Sequence, residues 1–391
     1  MTEITEKRIP HRKGLAAAEQ LLLTVYILLS PIYQCFPALP LIGLNPMTVL
    51  VGLLLLCYAL HMPSVLRHHR PLFGSVWILL VFCAELVWFR ADLSIGWVLP
   101  VLLYLFFLQT DHRISATCLE GAYLISVLLA AVCSVSLGLV DGAVTRVATL
   151  IDGSIAPIAI TAALFCDRRA GGVRALGWLC LRGAALICGL IVLIFGMSRA
   201  RFLIIGAVFV LYFCRKLRQV FPGGRKISRR AALLLYFILL AMAGLLASGI
   251  LDDLFAPILR RLTTEGLDSM GRDVELIFGL SCFSDSPIIG CGWGQMYLTD
   301  LDGSVVAYNN HCAYLAILAR GGLALALPML FSYAMLFLEA WGVRHRCAAA
   351  VPLMTVFFLL SIGNAGMFNY TIGSLIPLVV LKINQKDRDL E

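Results

Sequence analysis

The sequence predicts an all-α integral membrane protein of about twelve transmembrane helices, and three observations carry that expectation. The 391 residues are 60% hydrophobic and only 14% charged, with a mean hydropathy of +0.91. Apolar stretches long enough to cross about 30 Å of hydrocarbon recur along the whole chain. Lysine and arginine gather in alternate connecting segments, the pattern left by membrane insertion. A soluble fold could not bury so much apolar surface. No internal repeat, low-complexity stretch or soluble domain interrupts the pattern, so residues 1–391 read as a single polytopic membrane domain.

The candidate spans are residues 15–36, 42–61, 72–89, 95–109, 116–137, 152–166, 176–197, 201–214, 231–250, 311–338, 350–364 and 371–383. The first follows Lys7, Arg8, Arg12 and Lys13 but has no small-residue cleavage site, and further spans come at once. It reads as a retained helix rather than a removed signal peptide. Arg67 and Arg70, then Arg113, then Arg168, Arg169 and Arg174, follow the second, fourth and sixth spans. The stretch from Arg215 to Arg230, with Pro222-Gly223-Gly224, is a basic loop after the eighth. Arg344 and Arg346, and finally Lys382, Lys386 and Arg388, continue the alternation. All these segments share one face, the inside, and so do both termini. Arg182, near the inner end of the seventh span, is expected to snorkel. The net charge of +8 therefore reports topology and anionic lipid, and nucleic acid is not an expected partner.

Residues 251–310 form one long polar segment outside, between the ninth and tenth spans, where acids outnumber Arg260, Arg261 and Arg272. Within it, Gly271 to Leu280 reads as a helix capped by Asp268 or Ser269 and stopped before Pro287. Its apolar residues suit a helix lying against the bilayer or the bundle. Ser286 to Gly294 is a glycine-rich turn that lets backbone approach closely. The thirteen cysteines show no CxxC pair and no metal-ligand spacing, and read as small apolar fillers. Cys282 and Cys291 lie in the outside segment, where an oxidising compartment would permit a disulfide; spacing alone leaves their pairing open.

The basic residues that break the inside rule carry the functional signal. In Gly196-Met197-Ser198-Arg199-Ala200-Arg201-Phe202, two arginines sit at a tight outer turn. Either they snorkel at the interface or they hold an anion by forked hydrogen bonds. Arg272 either grips phosphate or pairs with Glu275 one turn on. His311, in Tyr308-Asn309-Asn310-His311-Cys312, stands where the polar segment becomes the tenth helix. A helix start favours a nearby anion and a neutral imidazole, which suits a general base; a plain interfacial hydrogen bond is the alternative. Arg320 is about 13 Å further along that helix and must face the bundle or a wet cavity. Tyr308, Asn310 and Arg320 are supporting candidates. Asp300-Leu301-Asp302 and Asp252-Asp253 have a carboxylate spacing that divalent metals use, but acidic pairs are common in solvated loops, and neither metal nor other cofactor is expected.

Ser198-Arg199, Gly271-Arg272 with Pro287-Ile288-Ile289-Gly290-Cys291-Gly292, and Asn310-His311 with Gly321-Gly322 together resemble the bacterial O-antigen ligase and polymerase family. The likeness covers roughly residues 196–325; the first half is similar in hydropathy alone. It implies a GT-C-like glycosyltransferase of the bacterial inner (cytoplasmic) membrane, with the large segment between helices 9 and 10 in the periplasm. Such an enzyme takes glycan from undecaprenyl diphosphate without metal or nucleotide sugar. The resemblance makes Arg199 and Arg272 ligands of the donor diphosphate, adds Arg201 by proximity, and makes His311 the base. Two departures stand out: Ala200-Arg201 replaces a small residue and a long apolar run, and Cys312 stands where asparagine is common. A ligase, with lipid A core as acceptor, is the favoured expectation. A polymerase would use a second lipid-linked glycan, and a lipid-linked glycan flippase is the alternative of another class, expected to show repeated halves and charges at mid-membrane.

Overall fold

The computed structural model describes residues 11–35, 46–65, 80, 81, 83, 84, 116–140, 143, 144, 147, 151–165, 173–196, 198–220, 272–292, 297–299, 305–307, 312–342 and 348–363. Their helices are α1 (His11–Leu29), α2 (Pro46–Val65), α3 (Ala116–Gly138), α4 (Ile155–Phe165), α5 (Val173–Gly196), α6 (Arg199–Val220), α7 (Arg272–Asp285), α8 (Ala313–Gly342) and α9 (Ala350–Gly363). A 3-10 turn, Ser30–Cys35, continues α1. All but α7 coincide with expected spans, and α7 is the helix expected between Gly271 and Pro287. The spans at 95–109, 231–250 and 371–383, most of 72–89, the basic loop from 221 to 230 and residues 251–271 lie outside the described residues.

Glu120–Gly138, Leu176–Gly196 and Ala313–Phe331 are long and apolar enough to cross a membrane. Leu179 and Ile187 of α5, Leu203 and Val210 of α6, and Leu327 and Phe331 of α8 are exposed. Water disfavours that much open apolar surface, and hydrocarbon accepts it. The chain is a helical protein with the character of a membrane protein.

Two features depart from the sequence expectation. The chain is not purely helical: Leu139–Val140 (β1) pairs antiparallel with Ala143–Val144 (β2), and Tyr297–Thr299 (β3) with Val305–Ala307 (β4). The β3–β4 ladder pairs Tyr297, Leu298 and Thr299 with Ala307, Val306 and Val305, a signal too short to register in a helix-length window. The tenth span is also broken. Gly322 has φ 55° and ψ −163°, so α8 is two helical segments joined at a kink.

Inside the bundle, α3 packs along α5 and α4, α1 lies on α3, and α9 bridges α4, α6 and α8. Every residue of α4 except Leu164 is buried, which makes it the central helix. Tyr333 and Phe337 of α8 meet Phe357 and Phe358 of α9 through ring contacts. Arg182 does not snorkel. Its Nη2 lies 3.0 Å from Glu120 Oε1, joining α5 to the first turns of α3, because a carboxylate within reach is a better partner than a distant interface.

Backbone bonds tie one end of the bundle. The Asp152 N–H donates to Pro31 O at 2.7 Å and the Val147 N–H to Phe195 O at 3.1 Å. The ends of α1 and α5 therefore meet the approach to α4, beside the start of α6. At the other end of α6, the Arg215 guanidinium lies 5.9 Å from the centre of the Phe165 ring, where α4 finishes.

Candidate functional site

Two polar places are built into this apolar bundle. The first is the seat of Arg201. The chain turns from α5 into α6 within two residues, and Ser198 O accepts the Phe202 N–H at 3.2 Å to start the new helix. Arg199 is the first residue of α6 and Arg201 the third. Two positions on a helix are about 200° apart around its axis, so 199 and 201 occupy different faces.

Arg201 Nη2 lies 3.5 Å from Asp152 Oδ1, with the two side chains only 12% and 7% exposed. Asp152 caps α4 as well: Oδ1 accepts the Ser154 N–H at 3.0 Å, and its carbonyl accepts the Ile155 N–H at 3.4 Å. Its other oxygen, Oδ2, is buried without a hydrogen-bond partner among the described residues. The guanidinium rests on Gly153, where a Cβ would overlap Arg201 Nη1 and come within 3.0 Å of Cζ. A side chain there would make the guanidinium shift. Among the described residues Asp152 is the one partner of Arg201, leaving most of its five donors available to an anion.

The second place is a clamp between α7 and α8. The break at Gly322 frees the carbonyls of Ala319 and Arg320 and the N–H groups of Leu323 and Ala324 from their own helix. The loop after α7 takes them up. Cys291 N–H donates to Ala319 O and Gly292 N–H to Arg320 O, both at 2.9 Å. Leu323 N–H donates to Pro287 O at 2.8 Å, and Ala324 N–H to Ile288 O at 2.9 Å. Gly290 (φ 69°) and Gly322 (φ 55°) face each other in this clamp. A Cβ on Gly290 would overlap the Arg320 carbonyl, and one on Gly322 would overlap that of Ile288. Backbone lies directly on backbone, and no side chain fits between.

Cys291 Sγ donates to Cys282 O at 3.1 Å and folds the loop back onto α7. Both cysteines are free thiols. Burial pushes the Cys282 thiol up to about 11, the neighbouring Cys291 adds to the rise, and the Arg320 cation opposes it. Arg320 itself is buried at 2% exposure beside the break, facing the bundle as its depth required.

Of the residues singled out in the sequence, Arg272 is the first residue of α7, whose far end is held by the clamp. His311, Tyr308 and Asn310 lie outside the described residues, immediately before α8, and so do Asp252, Asp253, Asp300 and Asp302. Among the described residues no cluster of three or more histidines, cysteines or carboxylates is placed to hold a metal ion. Sequence reasoning missed Asp152, because Asp152-Gly153-Ser154 before an apolar run reads as a turn and cap. The available signal was its level: alternation of the spans sets Asp152 at the same end as Arg201. No family model matches the sequence, and no curated protein is significantly similar to it.

Proposed function

We propose that the protein is an O-antigen ligase. In this reading it is a GT-C-type glycosyltransferase of about twelve spans in the bacterial inner membrane, with both termini cytoplasmic. It transfers glycan from undecaprenyl diphosphate to lipid A core on the periplasmic face. One observation carries the reading. Pro287–Gly292 and Gly321–Gly322, two motifs of the resemblance that are distant in sequence, are parts of one device joined by four backbone hydrogen bonds. Glycines that interlock are a more specific signal than glycines that merely recur. The clamp couples the helix headed by Arg272 to the helix that follows His311, which supports a shared role for those two residues.

The chemistry assigns Arg199, Arg201 and Arg272 to the donor diphosphate. Charge accumulates on that leaving group as the glycosidic bond breaks, so guanidinium groups held in advance stabilise the transition state more than the ground state. The seat on Gly153 and Asp152 restrains Arg201 before the ligand arrives, which lowers the cost of reorganisation. His311 takes the proton of the acceptor hydroxyl as it attacks the anomeric carbon from the face opposite the diphosphate, and the configuration inverts. Tyr308, Asn310 and Arg320 support this centre. The route uses neither metal nor nucleotide sugar.

A polymerase would run the same chemistry on a second lipid-linked glycan. The discontinuous α8 favours a transporter as second reading, since broken helices line many transport sites. Here, however, the freed backbone groups of α8 are occupied by the α7 loop rather than offered to a solute. Lipid-linked glycans from a deletion strain separate the three. A ligase defect leaves long chains on the carrier, a polymerase defect leaves single repeats, and a flippase defect leaves glycan in the cytoplasmic leaflet.

A further inference from the structure

The carboxylate at the start of α4 has an oxygen that the fold does not use. Asp152 gives Oδ1 to Arg201 at 3.5 Å and to the Ser154 N–H at 3.0 Å, while Oδ2 is buried with no partner among the described residues. A charged acceptor in that state is costly. Capping α4 does not require it, because serine or asparagine would accept the Ser154 N–H without a charge. Pairing with Arg201 does not use it either, because only Oδ1 reaches the guanidinium, whereas such pairs frequently engage both oxygens.

Arg201 is in the complementary condition. It retains 12% exposure and has one long contact to a carboxylate, so most of its donors are uncommitted. Ser30, next to the Pro31 whose carbonyl accepts the Asp152 N–H, has a buried hydroxyl that is also without a partner among the described residues. Cationic donors, an anionic acceptor and a hydroxyl able to serve as either are thus unused at one end of the bundle. A bare anion would satisfy Arg201 and be repelled by Asp152. A neutral sugar would satisfy Asp152 and leave the guanidinium desolvated. A sugar carrying phosphate satisfies both.

We propose that Asp152 and Arg201 form a sugar-phosphate subsite, in which Arg201 binds a phosphate oxygen and Asp152 Oδ2 accepts a hydrogen bond from a hydroxyl of the attached sugar. The proposal rests on the lipid-diphosphate reading above and adds to it the residue that recognises the sugar next to the phosphate. Gly153 is the floor of the subsite, since a side chain there would displace the guanidinium.

The test is equilibrium binding of the full-length protein in nanodiscs to two probes, a polyprenyl diphosphate and the same lipid carrying one sugar. The wild type is expected to bind the glycosylated probe more tightly. Asp152→Asn and Asp152→Ser both keep a cap for the Ser154 N–H, and each should lower that preference about tenfold, the worth of one hydrogen bond to a charged group. Gly153→Ala should weaken both probes together by moving Arg201. An unchanged preference in the two Asp152 variants overturns the subsite and leaves Asp152 as an ion-pair partner alone. Equal binding of the two probes by the wild type overturns it as well. Failure of the wild type to bind either probe sinks the lipid-diphosphate reading itself, a result distinct from a loss confined to the sugar.

Discussion

At the start of α6 position is set by charge, and at the end of α7 it is set by backbone. Arg201 is held by a carboxylate at 3.5 Å and by the flat floor of Gly153, with spare donors and a spare carboxylate oxygen left over. The clamp turns its backbone inward: the carbonyls of Ala319 and Arg320 and the N–H groups of Leu323 and Ala324, freed by the kink at Gly322, all have partners in the loop after α7. The first arrangement is under-satisfied, as a binding site must be before its ligand arrives. The second is closed, as a rigid joint must be. Function is read from the first kind of region and alignment from the second.

The comparison breaks most visibly at the joint. Gly322→Ala and Gly290→Ala each combine a positive φ with overlap against a carbonyl, and strain and overpacking together should cost about 3 kcal/mol or more. The thermal midpoint of the detergent-purified protein should drop sharply, and glycan transfer should fall with it. An alanine variant of normal stability would show that the two glycines do not interlock.

Next in size is Arg201. Removing it leaves Asp152 buried and uncompensated, so Arg201→Ala should destabilise by about 3 kcal/mol, and adding Asp152→Ala should restore part of the loss. Arg201→Lys keeps the charge but loses the fork, so donor binding should stay impaired even where stability recovers. Additive losses in the double variant would mean that the two residues do not communicate.

Glu120 and Arg182 supply the control, a largely buried ion pair between α3 and α5 in which neither residue belongs to the proposed site. Glu120→Gln should destabilise by about 2 kcal/mol, while transfer per folded molecule is unchanged. A selective loss of transfer would extend the functional region to the far end of α3.

The smallest effect is a titration. Burial and the Cys291 neighbour raise the Cys282 thiol from its usual value of 9.0 to about 11, so the folded state holds that proton longer than the unfolded state does. Its contribution to stability is complete below about pH 9 and declines between about pH 9 and about pH 11. Cys282 should resist alkylation at pH 8 in the folded protein and react readily once it is unfolded. Rapid labelling of folded protein at pH 8 would place the thiol in a wetter setting.

What the sequence made legible follows from the range of each signal. Helices α3, α5 and α8 were read from hydropathy, because an apolar run of that length has few other solutions. The α7 helix was read from its caps and from Pro287. The kink in α8 was not, because Gly321-Gly322 inside an apolar run is compatible with an unbroken helix, and only contact with Gly290 selects the positive φ. The β3–β4 ladder was missed because three-residue strands carry almost no periodicity. At the site, Arg201 stands out as an exception to the charge rule, whereas Asp152 does not, since an acid at the very end of a span violates nothing. Arg182 was misread for the same reason: its partner Glu120 is distant in sequence and ordinary where it stands.

The most direct test is single-turnover glycan transfer by His311→Ala and His311→Gln across pH, with donor binding measured separately. Transfer should slow by about 10²–10⁴-fold at equal donor occupancy, and the wild-type rate should follow an ionisation near neutral pH that both variants lose. Unchanged transfer, or a defect confined to donor affinity, would contradict His311 as the base and with it the proposed mechanism.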